Sequence, residues 1–307
     1  MAVAELTAET LQTVEEEGQL KIIWRRFKRH RLALAGLAVV IIFIVAAALA
    51  PVIAPYDPIS DMELSNPNAP PSVAHIMGTD QLGRDVFSRL LYAGRISLFV
   101  AFVVVLVSEP IGATIGAISG YYGGKTDSII QRIVEFFLTL PLLPLLLALS
   151  ALLRGIEIPG LPREWSSAVI IIIILIVFGW MGSSRLVRGT VLSLRKQDFT
   201  EASRALGMSD RRIILRHMLP NSLPPIIVNA TLALGTVIII ESALSFLGFG
   251  IQLPIPTWGN MLNEYQKDMW TQPAKVFYPG MAIFLCTLAF NYVGDGLRDA
   301  VDPRLKL

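Results

Sequence analysis

Residues 201-EASRALGMSDRRIILRHMLPN-221 form a charged island between two long apolar runs. The run before it, 166–184, holds five consecutive isoleucines at 170–174, and the run after it covers 221–240. Each is long enough to cross ~30 Å of hydrocarbon at ~1.5 Å per residue. Further runs with no charge or almost none occur at 32–54, 96–120, 136–153 and 276–294, which makes six runs of 18–25 residues. Over the 307 residues, 53% are hydrophobic and only 16% are charged. The mean hydropathy of +0.59 lies outside the range of an ordinary water-soluble domain. The expected fold is an all-α polytopic membrane protein with about six transmembrane helices. A tail at 1–31 precedes the first span at 32–54. An extramembrane segment at 55–95 leads to a core at 96–294, and a second tail covers 295–307.

Orientation follows from Lys and Arg, because cytoplasmic loops carry an excess of them. Lys21, Arg25, Arg26, Lys28, Arg29 and Arg31 crowd the tail just before the first span. The loop at 185–220 holds eight cations, Arg185, Arg188, Arg195, Lys196, Arg204, Arg211, Arg212 and Arg216, against only Asp198, Glu201 and Asp210. Six crossings with the N-terminus inside place the loop and both tails in the cytoplasm. The segments then left outside, 55–95, 154–165 and 251–275, hold seven cations over a much greater length. The first apolar run is too long for a cleaved signal peptide and follows a 31-residue tail.

Within the island, Phe199, Ala202, Ser203 and Leu206 fall at i, i+3, i+4 and i+7, one face of a two-turn helix. Gly207 then ends that helix, most simply as a left-handed C-cap. Ser209 or Asp210 is placed to cap a second helix. In that helix Ile213, Ile214, His217 and Met218 form a stripe opposite Arg211, Arg212 and Arg216. Pro220, with Pro224 and Pro225 behind it, marks the return into the membrane. Two short helices with apolar stripes and basic flanks fit two roles on physical grounds: docking a protein partner, or lying on anionic lipid.

The stretch resembles the EAA loop of ATP-binding-cassette importer permeases. That pattern is Glu-Ala-Ala, three residues, Gly, nine residues, an aliphatic residue, one residue, then Leu-Pro. Here it is carried by Glu201, Ala202, Ser203, Gly207, Leu219 and Pro220, with His217 at the usual aliphatic position. The His-x-Leu-Pro-Asn form is typical of the dipeptide and oligopeptide branch. Three further segments look like the same branch and its C-type permease: 75-HIMGTDQLGRDVFSRLLYAGRISL-98, 241-ESALSFLGFG-250 with 258-WGNML-262, and 290-FNYVGDGLRDAVDPRL-305. The resemblance implies a type I importer permease fold in a prokaryotic cytoplasmic (inner) membrane. It implies that Glu201, Ala202, Ser203, Leu206, Gly207, His217, Leu219 and Pro220 couple to a cytoplasmic ATPase. It also implies a homologous permease subunit, two ATPase subunits and an extracytoplasmic solute-binding protein as partners, besides membrane lipid and with no nucleic acid. ATP and magnesium would sit in those partner subunits, and this chain would bind no cofactor. The cargo implied is a peptide, with nickel, glutathione or oligosaccharide as alternatives among close relatives.

Gly123-Gly124-Lys125-Thr126 imitates a phosphate loop, but the position that requires glycine is Ser119. It reads as a turn between two membrane segments. Glu109 lies near the middle of its run beside Pro110, where a carboxylate costs about 2.5–3.5 kcal/mol to insert. It must face protein or water, either lining a pathway or bonding to a neighbouring helix. Glu241 presents the same choice. Asp80, Arg84 and Asp85, outside, form either a local ion-pair turn or a contact for the extracytoplasmic partner. Pro141 and Pro144 should kink the third run. Cys286 stands alone, and His30, His75 and His217 have no metal-ligand spacing. No catalytic constellation is present in the sequence, which argues against a membrane enzyme. A self-sufficient channel or secondary transporter would leave the EAA-like loop unexplained.

Overall fold

The computed structural model describes residues 19–301. The far ends of both tails, including Glu15, Glu16 and Glu17, lie outside the described residues. A short helix α1 (Gln19–Phe27) precedes α2 (Arg31–Ala48), which His30 caps by accepting the Ala33 N–H at 3.0 Å. One further turn, α3 (Ala50–Ile53), leads into the long connection to the next helix. Then come α4 (Val86–Tyr122), α5 (Gly124–Thr139), α6 (Leu142–Leu152) and α7 (Arg163–Leu194). The island forms α8 (Asp198–Ala205) and α9 (Asp210–Ile213), a π-turn (Ile214–Met218) and α10 (Leu219–Asn221). The chain closes with α11 (Leu223–Phe246), α12 (Trp258–Tyr265) and α13 (Pro273–Val301). Five of these helices are long and apolar enough to cross a membrane, and the bent pair α5–α6 makes six.

The third apolar run departs from expectation. It is not one kinked helix over 136–153 but two helices that meet at 85°. The cause is local. Leu140 precedes Pro141 and is pushed to extended backbone (φ −74°, ψ 140°), so the helix stops there and restarts at Leu142. Pro144 falls in the first turn of α6, where its missing N–H costs nothing. Other boundaries move outward. The helix expected at 96–120 begins ten residues earlier, because Asp85 caps it by accepting the Ser88 N–H at 2.7 Å. At 37 residues, α4 is about 55 Å long and must protrude from the bilayer. The helix over 166–184 likewise runs on to Leu194, so Arg185 and Arg188 belong to α7 rather than to a loop.

The tightest contact in the bundle joins α4 to α7. Gly112, Gly116 and Gly120 recur every fourth residue along one stripe of α4. A Cβ on each would come within 2.3, 2.3 and 2.8 Å of the carbonyl oxygens of Trp180, Ser184 and Arg188, themselves four apart on α7. In lipid no hydrophobic effect drives helices together, so close backbone approach through small residues is what gains the dispersion energy. The main core gathers α2, α4, α7, α11 and α13 around Val104, Ile171, Ile238 and Phe290. A second, separate core lies at the C-terminal ends of α4 and α7, and the island covers it.

Candidate functional site

The island is a folded unit on its own platform. Ala113, Ala117 and Tyr121 of α4 and Val187 and Val191 of α7 form one wall of the second core, and Ile213, Ile214 and Met218 form the other. The stripe expected from the sequence is therefore turned inward, with His217 half-buried behind it, while Arg211, Arg212 and Arg216 are exposed. The π-turn takes in one extra residue and still keeps Ile214 and Met218 inward. Asn221 Nδ2 and the Ser222 hydroxyl then close the junction with α11, donating to His217 O at 2.6 Å and Met218 O at 2.8 Å.

Gly207 adopts φ +76°, as the sequence requires. Its N–H donates to Arg204 O at 2.9 Å, and the Met208 N–H donates to Ser203 O at 3.1 Å. This is a Schellman closure with glycine at the left-handed position. Ser209 occupies the cap position of α9 but makes no side-chain cap bond. The face expected on α8 divides. Thr200 and Ser203 turn inward, donating to Leu194 O at 2.9 Å and Phe199 O at 2.7 Å, and Phe199 is half-buried. Glu201, Ala202 and Leu206 point to solvent, Leu206 with 85% exposure, and Pro220 and Gly207 are exposed beside them, with Leu219 half-buried. Leu206 is thus an exposed apolar residue at the C-terminal end of α8.

Midway along α4, Glu109 is buried, and its Oε1 accepts from Asn229 Nδ2 of α11 at 2.8 Å. Ser183 of α7 donates to the Glu109 carbonyl at 3.4 Å. Oε2 is buried with no partner. Three helices thus meet at Glu109. Glu109→Gln keeps the acceptor for Asn229 and removes the ionisable group, so assembly and transport should stay within about twofold of the parent. Glu109→Leu strands the Asn229 amide, at a cost of about 1–3 kcal/mol, and should lower the yield of assembled protein in size-exclusion chromatography. A large loss of transport in Glu109→Gln with normal assembly would place the carboxyl in the pathway. Glu241 is fully buried in α11, where the Ser245 hydroxyl donates to it at 2.7 Å and the Ser97 hydroxyl at 3.3 Å.

In the segment leading into α4, Asp80, Arg84 and Asp85 are 1%, 4% and 1% exposed. Arg84 Nε donates to Asp80 Oδ2 at 2.7 Å and its Nη2 to Glu264 Oε1 at 2.8 Å. Arg89, absent from the residues singled out by sequence, joins the same carboxylates from below: Nη1 to Asp80 and Nη2 to Glu264, each at 2.5 Å. Burial raises the Asp80 carboxyl, but Arg89, Arg84 and two backbone N–H groups outweigh it and hold the group below the usual carboxylate range. Asp85 accepts from Ser88 and lies 3.0 Å from His75 Nδ1. All three side chains are thus buried against other groups of this chain.

Residues 112–307 match the family described as binding-protein-dependent transport system inner membrane component, and residues 18–71 match the N-terminal transmembrane domain of oligopeptide transport permease C. The dipeptide transport system permease protein DppC of Bacillus subtilis (strain 168) is 41% identical over 288 residues, covering 92% of this chain and 85% of the relative. The glutathione transport system permease protein GsiD of Escherichia coli O157:H7 is 42% identical over 283 residues, covering 92% and 90%. Among solved structures, an inward-facing form of the MetNI methionine ABC transporter superposes with a TM-score of 0.51 at 19% identity, covering 70% of this chain and 98% of that one. That likeness concerns the fold.

Proposed function

This chain belongs to the family of binding-protein-dependent transport system inner membrane components, and we propose that it is one of two permease subunits of an ATP-driven peptide importer. It is a multi-pass protein of the inner membrane. Two ATPase subunits hydrolyse ATP on the cytoplasmic side, a homologous permease completes the pathway, and an extracytoplasmic binding protein delivers the cargo. The observation that carries this reading is the α8–Gly207 element. It is rigidly capped and mounted on the ends of α4 and α7, yet it presents Leu206, Ala202 and Glu201 outward. The EAA pattern carried by Glu201, Gly207 and Pro220, rather than exposure alone, favours a protein partner over anionic lipid for this face. The peptide cargo is supported by the DppC relatives, and the GsiD relatives at similar identity make glutathione, itself a peptide, the second reading.

A single cysteine at Leu206 should crosslink to an ATPase subunit, in inside-out but not right-side-out vesicles, which tests orientation and docking together. In the same complex Gly207→Val places a β-branched residue at positive φ. Nothing lies within 4 Å of its Cβ, so the penalty is backbone strain alone, about 1–2 kcal/mol. Retention of ATPase subunits on pull-down should fall about tenfold, while Gly207→Asn, which tolerates the left-handed region, retains them. No crosslink and unchanged retention would remove the loop from the docking role.

A further inference from the structure

The second core contains one polar side chain whose position neither its packing nor the loop motif explains. Tyr121, in the last turn of α4, is 4% exposed, and its hydroxyl reaches into the island. It donates to Asp210 Oδ1 at 2.7 Å and accepts from Arg204 Nε at 3.3 Å. The Arg204 guanidinium also lies over the ring, 5.0 Å from its centroid. Arg204 sits on α8, before the Gly207 turn, and Asp210 sits on α9, after it. One phenol therefore holds both halves of the island, across the point where a left-handed turn lets the chain hinge.

Behind the ring the backbone is fastened in turn. Arg195, which caps the end of α7, donates from Nη1 to Gly120 O at 3.2 Å and Tyr121 O at 3.3 Å. Two residues earlier, the Ser119 hydroxyl donates to Asp127 Oδ1 at 2.5 Å. Arg188 of α7 grips Asp127 in a bidentate pair at 2.5 and 2.6 Å. The glycine stripe then locks α4 to α7 along its length.

We propose that Tyr121 is a positioning residue that makes the island and the α4–α7 pair one lever, so that a tilt of α8 is delivered to α4 rather than absorbed at Gly207. The proposal rests on the reading that α8 docks an ATPase. It predicts a defect in coupling, which packing alone would not produce, because Tyr121→Phe keeps the ring among Ala117, Ile213 and Met218 and removes only the hydroxyl.

The test uses the complete importer in proteoliposomes, reading peptide uptake and ATP hydrolysis on the same preparation. Tyr121→Phe should assemble normally and keep the Leu206→Cys crosslink and ATP hydrolysis, while uptake per ATP falls about three- to tenfold. Asp210→Ala should fall to a comparable degree, and the double variant no further than Tyr121→Phe, since both variants break the Tyr121–Asp210 bond. Asp210→Asn, which keeps the acceptor oxygen, should restore most of the ratio. An unchanged ratio in Tyr121→Phe with the crosslink intact would overturn the proposal. So would a parallel fall in hydrolysis and uptake that leaves the ratio fixed. Failure of the parent Leu206→Cys protein to crosslink would instead overturn the docking reading on which the lever depends.

Discussion

Gly116→Ala is expected to abolish uptake, although it adds a single methyl group to an apolar helix. The new Cβ would meet Ser184 O at 2.3 Å and the Ser184 carbonyl carbon and Cα at 3.0 Å. These are backbone atoms of a continuous helix, so no rotamer change can relieve the overlap. The helices must separate, and the contacts at Gly112 and Gly120 are then lost with it. Overpacking of this kind costs about 1–3 kcal/mol or more. In lipid it is not offset by any hydrophobic gain between the helices. The expected signature is a lowered midpoint of thermal aggregation in detergent together with loss of uptake. Gly182→Ala and Gly189→Ala are the controls, since both glycines lie on α7 with nothing within 4 Å of their Cβ positions. Both should behave as the parent. Equal tolerance at Gly116 would mean that α4 and α7 are not held at this distance.

Arg89→Met carries the second large effect. Arg89 is wholly buried and bridges Asp80 to Glu264, which lies 175 residues away in the chain. Methionine fills the space but leaves both carboxylates to Arg84 alone, and breaking a buried pair in this way costs about 3–5 kcal/mol. The outer segment should detach from α12, seen as faster proteolysis between α3 and α4 in right-side-out vesicles. Asp80→Asn together with Glu264→Gln should recover part of the loss by removing the stranded charges. The pH dependence has a definite sign. Asp80 is held below its ordinary value in the folded parent. Its contribution is therefore complete above the ordinary carboxylate pKa of about 3.9 and declines only as pH falls through the depressed folded value. In Arg89→Met much of that hold is gone, so protonation relieves the variant at a higher pH than it affects the parent. The stability gap between them should narrow on acidification towards pH ~4. A gap that is constant or widens would exclude an electrostatic origin.

The same cluster changes how the outer residues are read. Asp80, Arg84 and Asp85 look like an exposed charged turn when only residues 75–98 are considered. Glu264, supplied by a helix near the other end of the chain, pairs with Arg84 and Arg89, and Tyr265 accepts from Arg89 beside it. A long-range partner of this kind leaves no trace in local spacing.

What the sequence determined by itself was local in origin. Length and hydropathy of a segment decide whether it spans a membrane, and those are properties of each run taken alone. The left-handed turn at Gly207 is equally local, because its hydrogen bonds close within six residues from Ser203 to Met208. The amphipathic stripe at Ile213, Ile214 and Met218 was legible because one side faces protein and the other water. Tertiary structure decided the rest. A helix that is apolar on every side carries no periodic signal to say which side meets a neighbour. The spacing of Gly112, Gly116 and Gly120 marks a close contact in principle, but only the fold supplies α7 as its partner. The Tyr121 clasp and the Arg89 bridge likewise depend on groups 83 and 176 residues apart in the chain coming within bonding distance. Their geometry comes from helix packing, where backbone approach of a few ångströms sets which polar atoms can reach each other.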